Sequence, residues 1–116
     1  MKLSANFHRE EFSCKCGCGQ DTVDAALIRI LEIVRAHFDS PITITSGNRC
    51  VLHNKAIGGA SDSSHLIGKA ADFKVKNVSS IEVYNFINLH APNDYGLGQY
   101  SSWVHVDSRD VMARWG

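Results

Sequence analysis

Between residues 21 and 38 the chain reads DTVDAALIRILEIVRAHF, and Leu27, Ile30, Leu31, Val34 and Phe38 recur three or four positions apart. That spacing draws one apolar stripe along a helix. Asp21 or Thr22 can accept hydrogen bonds from the first-turn amides and Asp24 suits the positive end of the helix dipole, so the start is expected there. Ser40 and Pro41 stop the helix, because the residue before a proline avoids the helical region. ITITS, from Ile42 to Ser46, alternates apolar and hydroxyl side chains and predicts a strand. The segment after it, GNRCVLHNKAIGGASDSS, is rich in Gly, Ser and Asn and predicts loop, with a short helical turn around residues 53–57. AADFKVK alternates again, placing Ala71, Phe73 and Val75 on one side and Asp72, Lys74 and Lys76 on the other. From Ser79 onward SSIEVYNFINLHA predicts a second helix with a serine cap and a stripe of Ile81, Tyr84 and Ile87, ended by Pro92 and Asn93. YGLGQYSSWVHVDSR predicts a hairpin turning near Ser101 and Ser102. In its second arm Val104 and Val106 face one way while Trp103, His105 and Asp107 face the other. Both alternating strands bury apolar side chains on one side and offer His or Asp on the other. The pattern predicts an α+β domain: a small antiparallel sheet with helices on one face and a polar groove on the other.

The 116 residues fit one domain spanning 1–116, with no internal repeat and no low-complexity stretch. Twelve basic and twelve acidic side chains balance, and no Lys/Arg run forms a phosphate-tracking stripe, so nucleic acid is not an expected partner. No stretch approaches the ~20 apolar residues of a membrane span, so membrane insertion is not expected. MKLSANFHREEF lacks the apolar centre of a secretory signal, and the expectation is a soluble product made in the cytoplasm unless a carrier exports it. A monomer is expected. The cysteines are unusual: Cys14, Cys16 and Cys18 alternate in SCKCGCGQ, and Cys50 lies far away in GNRC. Free thiols, one disulfide to Cys50 and a second metal site all remain open, since structural zinc sites prefer about two to four intervening residues.

The candidate chemistry begins in SHLIGKAAD, where His65 and Asp72 bracket Gly68 and two alanines. An isolated histidine is ordinarily a surface group or a satisfied polar side chain. Together with His105, however, the set is two imidazoles and a carboxylate, which suits Zn²⁺ and leaves a fourth tetrahedral position. Zinc lowers the pKa of water to about 7 and polarises a carbonyl, so amide hydrolysis near neutral pH is within reach of such a site. Gly68 permits a tight backbone path, and small Ala70 and Ala71 let backbones approach.

S-x-H-x-x-G-x-A-x-D, residues 63–72, followed some thirty residues on by W-V-H-V-D, resembles the zinc DD-peptidases of the M15 type. That group includes D-Ala-D-Ala carboxypeptidases and phage L-alanoyl-D-glutamate endopeptidases. SGNRCVLHN, residues 46–54, is similar to their S-G-x-R segment, and FHREEFSCKCGCG and ARWG are similar to a compact branch found in phage and prophage genomes. The likeness covers nearly the whole chain. It implies a zinc groove on the polar face with His65, Asp72 and His105 as ligands of one ion. It implies that Arg49 holds a substrate carboxylate or carbonyl oxygen, a task its planar charged fork suits, where otherwise a loop salt bridge would be the ordinary reading. Ser63 matches a serine that lines the site, its plainer role being to fix the His65 loop. The pattern departs from better-known relatives at the general base. Some carry a histidine two residues before the last ligand and others a Glu or Asp three before it; here those positions hold Trp103 and Ser102, neither able to take the proton. Asp107 is the remaining local group, since i and i+2 on a strand share a face about 6 to 7 Å apart. It is either the base or a carboxylate that orients His105 or pairs with Arg109. Trp103 is expected to wall the groove. His8, His37, His53 and His90, at helix ends or in a polar loop, are not expected to be ligands.

The resemblance thus implies a zinc metallopeptidase acting on an amide of peptidoglycan stem peptides, as carboxypeptidase or endopeptidase, in cell-wall lysis or remodelling after release from the cytoplasm. The alternative is a binding or structural module that keeps the zinc pocket without hydrolysis. A third reading makes the cysteine cluster the main site, as a metal-binding interaction domain.

Overall fold

The computed structural model describes residues 1–61 and 63–116. In chain order its elements are α1 (Ala25–Phe38), β1 (Ile42–Ser46), α2 (Val51–Ala56), β2 (Ala70–Val75), α3 (Ser80–His90), β3 (Gly96–Gln99), β4 (Val104–Asp107) and β5 (Ala113–Trp115), with short 3-10 turns at Arg9–Phe12 and Ser64–Ile67. This is the α+β domain that the sequence predicts. The strands form one sheet in the order β1-β2-β4-β3-β5. All neighbours are antiparallel except β3 and β5, which run parallel, so the sheet is mixed where an antiparallel one is expected. The expected hairpin is β3 and β4, closed by a hydrogen bond from the Tyr100 amide to the Trp103 carbonyl at 3.1 Å.

Alternation along the strands separates two faces. Ala71, Phe73 and Val75 of β2, Leu97 of β3 and Val104 and Val106 of β4 are buried, and they join Leu27, Ile30, Leu31 and Val34 of α1, with Val83 and Ile87 of α3, in one core. Phe7 and Phe12 from the amino-terminal segment complete it. Removing a side chain such as Leu31 from this packing costs about 2 to 5 kcal/mol.

Three local expectations change. Helix α1 begins at Ala25, not near Asp21, because residues 21–24 stay extended to meet the His65 turn: the Asp24 amide donates to the Gly68 carbonyl at 2.9 Å. Asp24 occupies the cap position, yet its carboxylate is taken by the Ser108 hydroxyl at 2.7 Å and caps nothing. Helix α3 buries Val83 and Ile87 and leaves Ile81 exposed, so its inward face is turned from the Ile81, Tyr84, Ile87 stripe. His53 lies within helix α2, where the sequence suggests polar loop with only a brief turn. Gly68 fulfils its expected role: its φ is 72°, and a Cβ there would stand 2.4 Å from the Thr22 carbonyl oxygen.

Candidate metal centre

The sheet itself brings the candidate ligands together. Asp72 on β2 stands directly opposite His105 on β4 in the antiparallel register, on the face away from the core. His65 arrives from the short turn Ser64–Ile67, which Ser63 caps by accepting a hydrogen bond from the His65 amide at 3.2 Å. The chain closes that turn with Gly68 in the left-handed conformation, delivering it to Ala70 of β2 within two residues. One ligand atom from each of His65, Asp72 and His105 lies within 4.8 Å of the others.

The donor chemistry fits a cation. His65 is buried, and its Nδ1 sits 2.7 Å from the Gly47 carbonyl, which only an N–H can satisfy; Nε2 is then the bare lone pair. Among the described residues that buried Nε2 has no hydrogen-bond partner, and it lies 3.4 Å from Asp72 Oδ1. His105 is held between two carboxylates, with Nδ1 2.9 Å from Asp72 Oδ1 and Nε2 2.7 Å from Asp107 Oδ2. A neutral imidazole has one N–H to donate. With that proton given to Asp107, His105 Nδ1 and Asp72 Oδ1 turn lone pairs toward one another, and a positive charge between them removes the conflict. Two imidazoles and a carboxylate are a ligand set that suits zinc.

Electrostatics around the centre agree. Burial pushes the Asp72 carboxyl up, yet the His105 and His65 rings beside it outweigh that and hold it well below the usual carboxylate range. Burial likewise opposes protonation of His105, but Asp107 and Asp72 outweigh it and raise its affinity for a proton. Asp107 is fully buried, and burial alone would raise it; the Arg109 guanidinium and His105 hold it ionised well below its ordinary value. Its two oxygens are engaged, Oδ1 by Arg109 Nε at 2.7 Å and Oδ2 by Arg109 Nη2 at 2.8 Å and by His105. Both contacts that the sequence left open for Asp107 besides the role of base, with His105 and with Arg109, are therefore present at once.

The centre opens into a cavity of about 960 Å³. Arg49 reaches its wall with Nη2 3.4 Å from Asp72 Oδ2, its Nε toward Ser46 Oγ at 3.2 Å and its Nη1 toward Asn54 Oδ1 at 3.2 Å. Ser63 lines the same cavity, as does Trp103, whose ring stacks on Tyr100 with centroids 4.6 Å apart. Trp115 was not legible as a site residue. Its ring lies 5.2 Å from that of His105, carries the Arg109 guanidinium 5.2 Å above it, and donates from Nε1 to the Tyr100 hydroxyl at 3.0 Å. Nothing near Trp115 in sequence signals this; the parallel pairing of β5 with β3 puts it there. Asn54 and the Gly47 carbonyl are equally silent in sequence, since their roles are to hold Arg49 and His65. His37 stacks on Phe86 at 3.8 Å, a packing role far from the centre. Cys14, Cys16, Cys18 and Cys50 form a second group, with free thiols and sulfur atoms within 4.8 Å of one another.

No curated protein matches the chain in sequence. The sequence model of one family, described as Peptidase M15, matches residues 5–107, a span that holds all three converging candidate ligands. The motif first seen at residues 63–72, the facing register of Asp72 and His105, and this match agree: the chain belongs to the Peptidase M15 family.

Proposed function

We propose that the chain is a zinc-dependent peptidase that hydrolyses an amide bond in peptidoglycan stem peptides, as a carboxypeptidase or endopeptidase. The observation that carries this reading is the convergence of His65 Nε2, Asp72 Oδ1 and His105 on one point in the wall of a cavity, in a member of a peptidase family. Zinc bound by these three residues supplies a Lewis acid that polarises a carbonyl and acidifies water near neutral pH. The chain's own side chains do the rest. Arg49, 12% exposed and fixed by Ser46 and Asn54, presents a planar cation beside the centre, suited to a peptide carboxylate or carbonyl oxygen. Ser63 lines the cavity near it, and the flat Tyr100 and Trp103 pair with Trp115 forms walls that exclude water from the reacting amide. Asp107 fixes the tautomer and direction of His105. The partner is a peptide, and the site of action is the bacterial cell wall, reached after release; the protein works as a monomer.

The test is incubation of purified protein with cell-wall sacculi and identification of the released muropeptides by mass spectrometry. Chelation should abolish release and added zinc should restore it; hydrolysis that is indifferent to chelators sinks the proposal. One observation favours a second reading, a zinc-containing binding module without hydrolysis: both oxygens of Asp107 are engaged, so it offers no free carboxylate oxygen to accept a proton. Tight binding of stem peptides with no product from any of them would establish that reading instead.

A further inference from the structure

We propose that Cys14, Cys16, Cys18 and Cys50 form a second metal site, a closed tetrathiolate zinc centre that braces the backbone carrying Arg49. The proposal stands on the geometry of the thiols and does not depend on whether the chain hydrolyses anything. All four Sγ atoms lie within 4.8 Å of one another and none is bonded to another. Cys16 Sγ is 3.4 Å from Cys14 Sγ and 3.5 Å from Cys50 Sγ, so one sulfur has two near neighbours. A single disulfide would use two of the four and leave the others crowded against it. Four thiolates around one zinc, with Zn–S about 2.3 Å, stand about 3.8 Å apart, close to the spacing observed.

The alternating spacing that looked wrong for zinc is reconciled by the backbone. Gly17 and Gly19 both adopt positive φ, at 81° and 89°, and the Gly17 amide donates to the Cys14 carbonyl at 3.1 Å. The loop therefore curls on itself and returns Cys18 to the side of Cys14, while the Cys14 amide reaches the Gln20 carbonyl at 2.7 Å and closes its base. Backbone donors point at the sulfurs: the Cys50 amide at Cys14 Sγ and the His53 amide at Cys50 Sγ, each 3.4 Å away. Such donors orient ligands and favour thiolates. Four protein ligands leave no open position, so the centre is structural in kind.

Its consequence lies one residue away. Cys50 follows Arg49 directly, the Arg49 amide donates to the His65 carbonyl at 3.0 Å, and Gln20, just beyond the loop, donates to the Arg49 carbonyl at 3.0 Å. A metal joining residues 14–18 to Cys50 thus ties the amino-terminal loop to the stretch that aligns Arg49 with the His65 turn.

The experiment measures metal per chain and the spectrum of the cobalt-substituted protein, prepared under reducing conditions with zinc or cobalt(II) as the only added metal. Two zinc ions per chain are expected. Cobalt(II) should give near-ultraviolet thiolate-to-metal charge transfer, a signature that the imidazole and carboxylate centre cannot produce. Replacing both His65→Ala and His105→Ala should reduce the content from two zinc ions to one and leave that band intact. Cys16→Ser with Cys18→Ser should remove the band, keep the other ion, and speed hydrogen exchange at residues 48–50. The unmodified chain decides the matter even if a variant fails to fold. One metal per chain with no charge-transfer band, or four thiols that react equally fast with and without zinc, overturns the proposal.

Discussion

Asp107 divides one carboxylate between two neighbours, giving Oδ2 to His105 and both oxygens to the Arg109 fork. Replacing it with Asn keeps the shape but halves the acceptor capacity and removes the charge. If Asp107 acts by positioning His105, Asp107→Asn weakens zinc binding about 10- to 100-fold in a chelator competition. A fall in kcat with unchanged zinc affinity would instead mark Asp107 as the proton acceptor. Arg49 gives a second prediction at this scale. Lysine keeps the charge but loses the fork that reaches Ser46, Asn54 and Asp72 together. Arg49→Lys is expected to retain its zinc and raise KM about tenfold or more, with a smaller change in kcat, as loss of uniform substrate binding requires. The nearness of His65, Asp72 and His105 could be anticipated from the motif's resemblance to M15 peptidases, and the alternation of two strands put Asp72 and His105 on one face. Arg49 was legible only through resemblance, and the acceptor that fixes His65, a backbone carbonyl, has no signature in any sequence.

Among the elements, β5 is the one that the alternation of residues does not announce. It is three residues long and pairs with β3 in the parallel sense. Its anchor is Arg114, which donates from Nε to Asn88 Oδ1 at 2.8 Å, from Nη2 to the Ala91 and Asp94 carbonyls at 2.8 and 2.9 Å, and from Nη1 to the Tyr95 carbonyl at 2.7 Å. One guanidinium thus satisfies the Ala91 carbonyl at the cap of α3 and the Asp94 and Tyr95 carbonyls of the turn after it, and through Asn88 it fastens the last strand to that helix. Arg114→Ala should destabilise the fold by about 2 to 4 kcal/mol in denaturant unfolding, with hydrogen exchange rising first in β5 and at the end of α3. Elements with long periodic stripes, α1 above all, could be located from sequence, while their exact starts could not. The first turn of α1 is displaced by a tertiary contact, the Asp24 amide on the Gly68 carbonyl, which no local propensity encodes.

For the molecule as a whole, the amino-terminal segment is held against α1 by Glu32. Its carboxylate accepts hydrogen bonds from the Ser4 hydroxyl at 2.5 Å and from the Asn6 amide and side chain, both at 2.7 Å. Partial burial works to raise the Glu32 carboxyl, but these donors outweigh it and hold it below its ordinary value. A lowered folded-state pKa contributes stability that is fully present above the unfolded value of about 4.3 and is lost as pH falls through the folded value. Glu32→Gln should therefore lose under about 1 kcal/mol at pH 7, since solvent screens this largely exposed carboxylate, measured by denaturant unfolding, and show a shallower decline of stability below pH ~4 than the parent chain.

Arg109 and Trp115, which wall the cavity, follow the end of β4 at Asp107. Arg109 grips Asp107, which holds His105, and Trp115 faces the same imidazole, so the carboxy-terminal wall and the strands carrying Asp72 and His105 are coupled parts of one sheet. Exchanging the segment after β4 would recut the recess and loosen the hold on His105 together, so selectivity and metal affinity are expected to change in step.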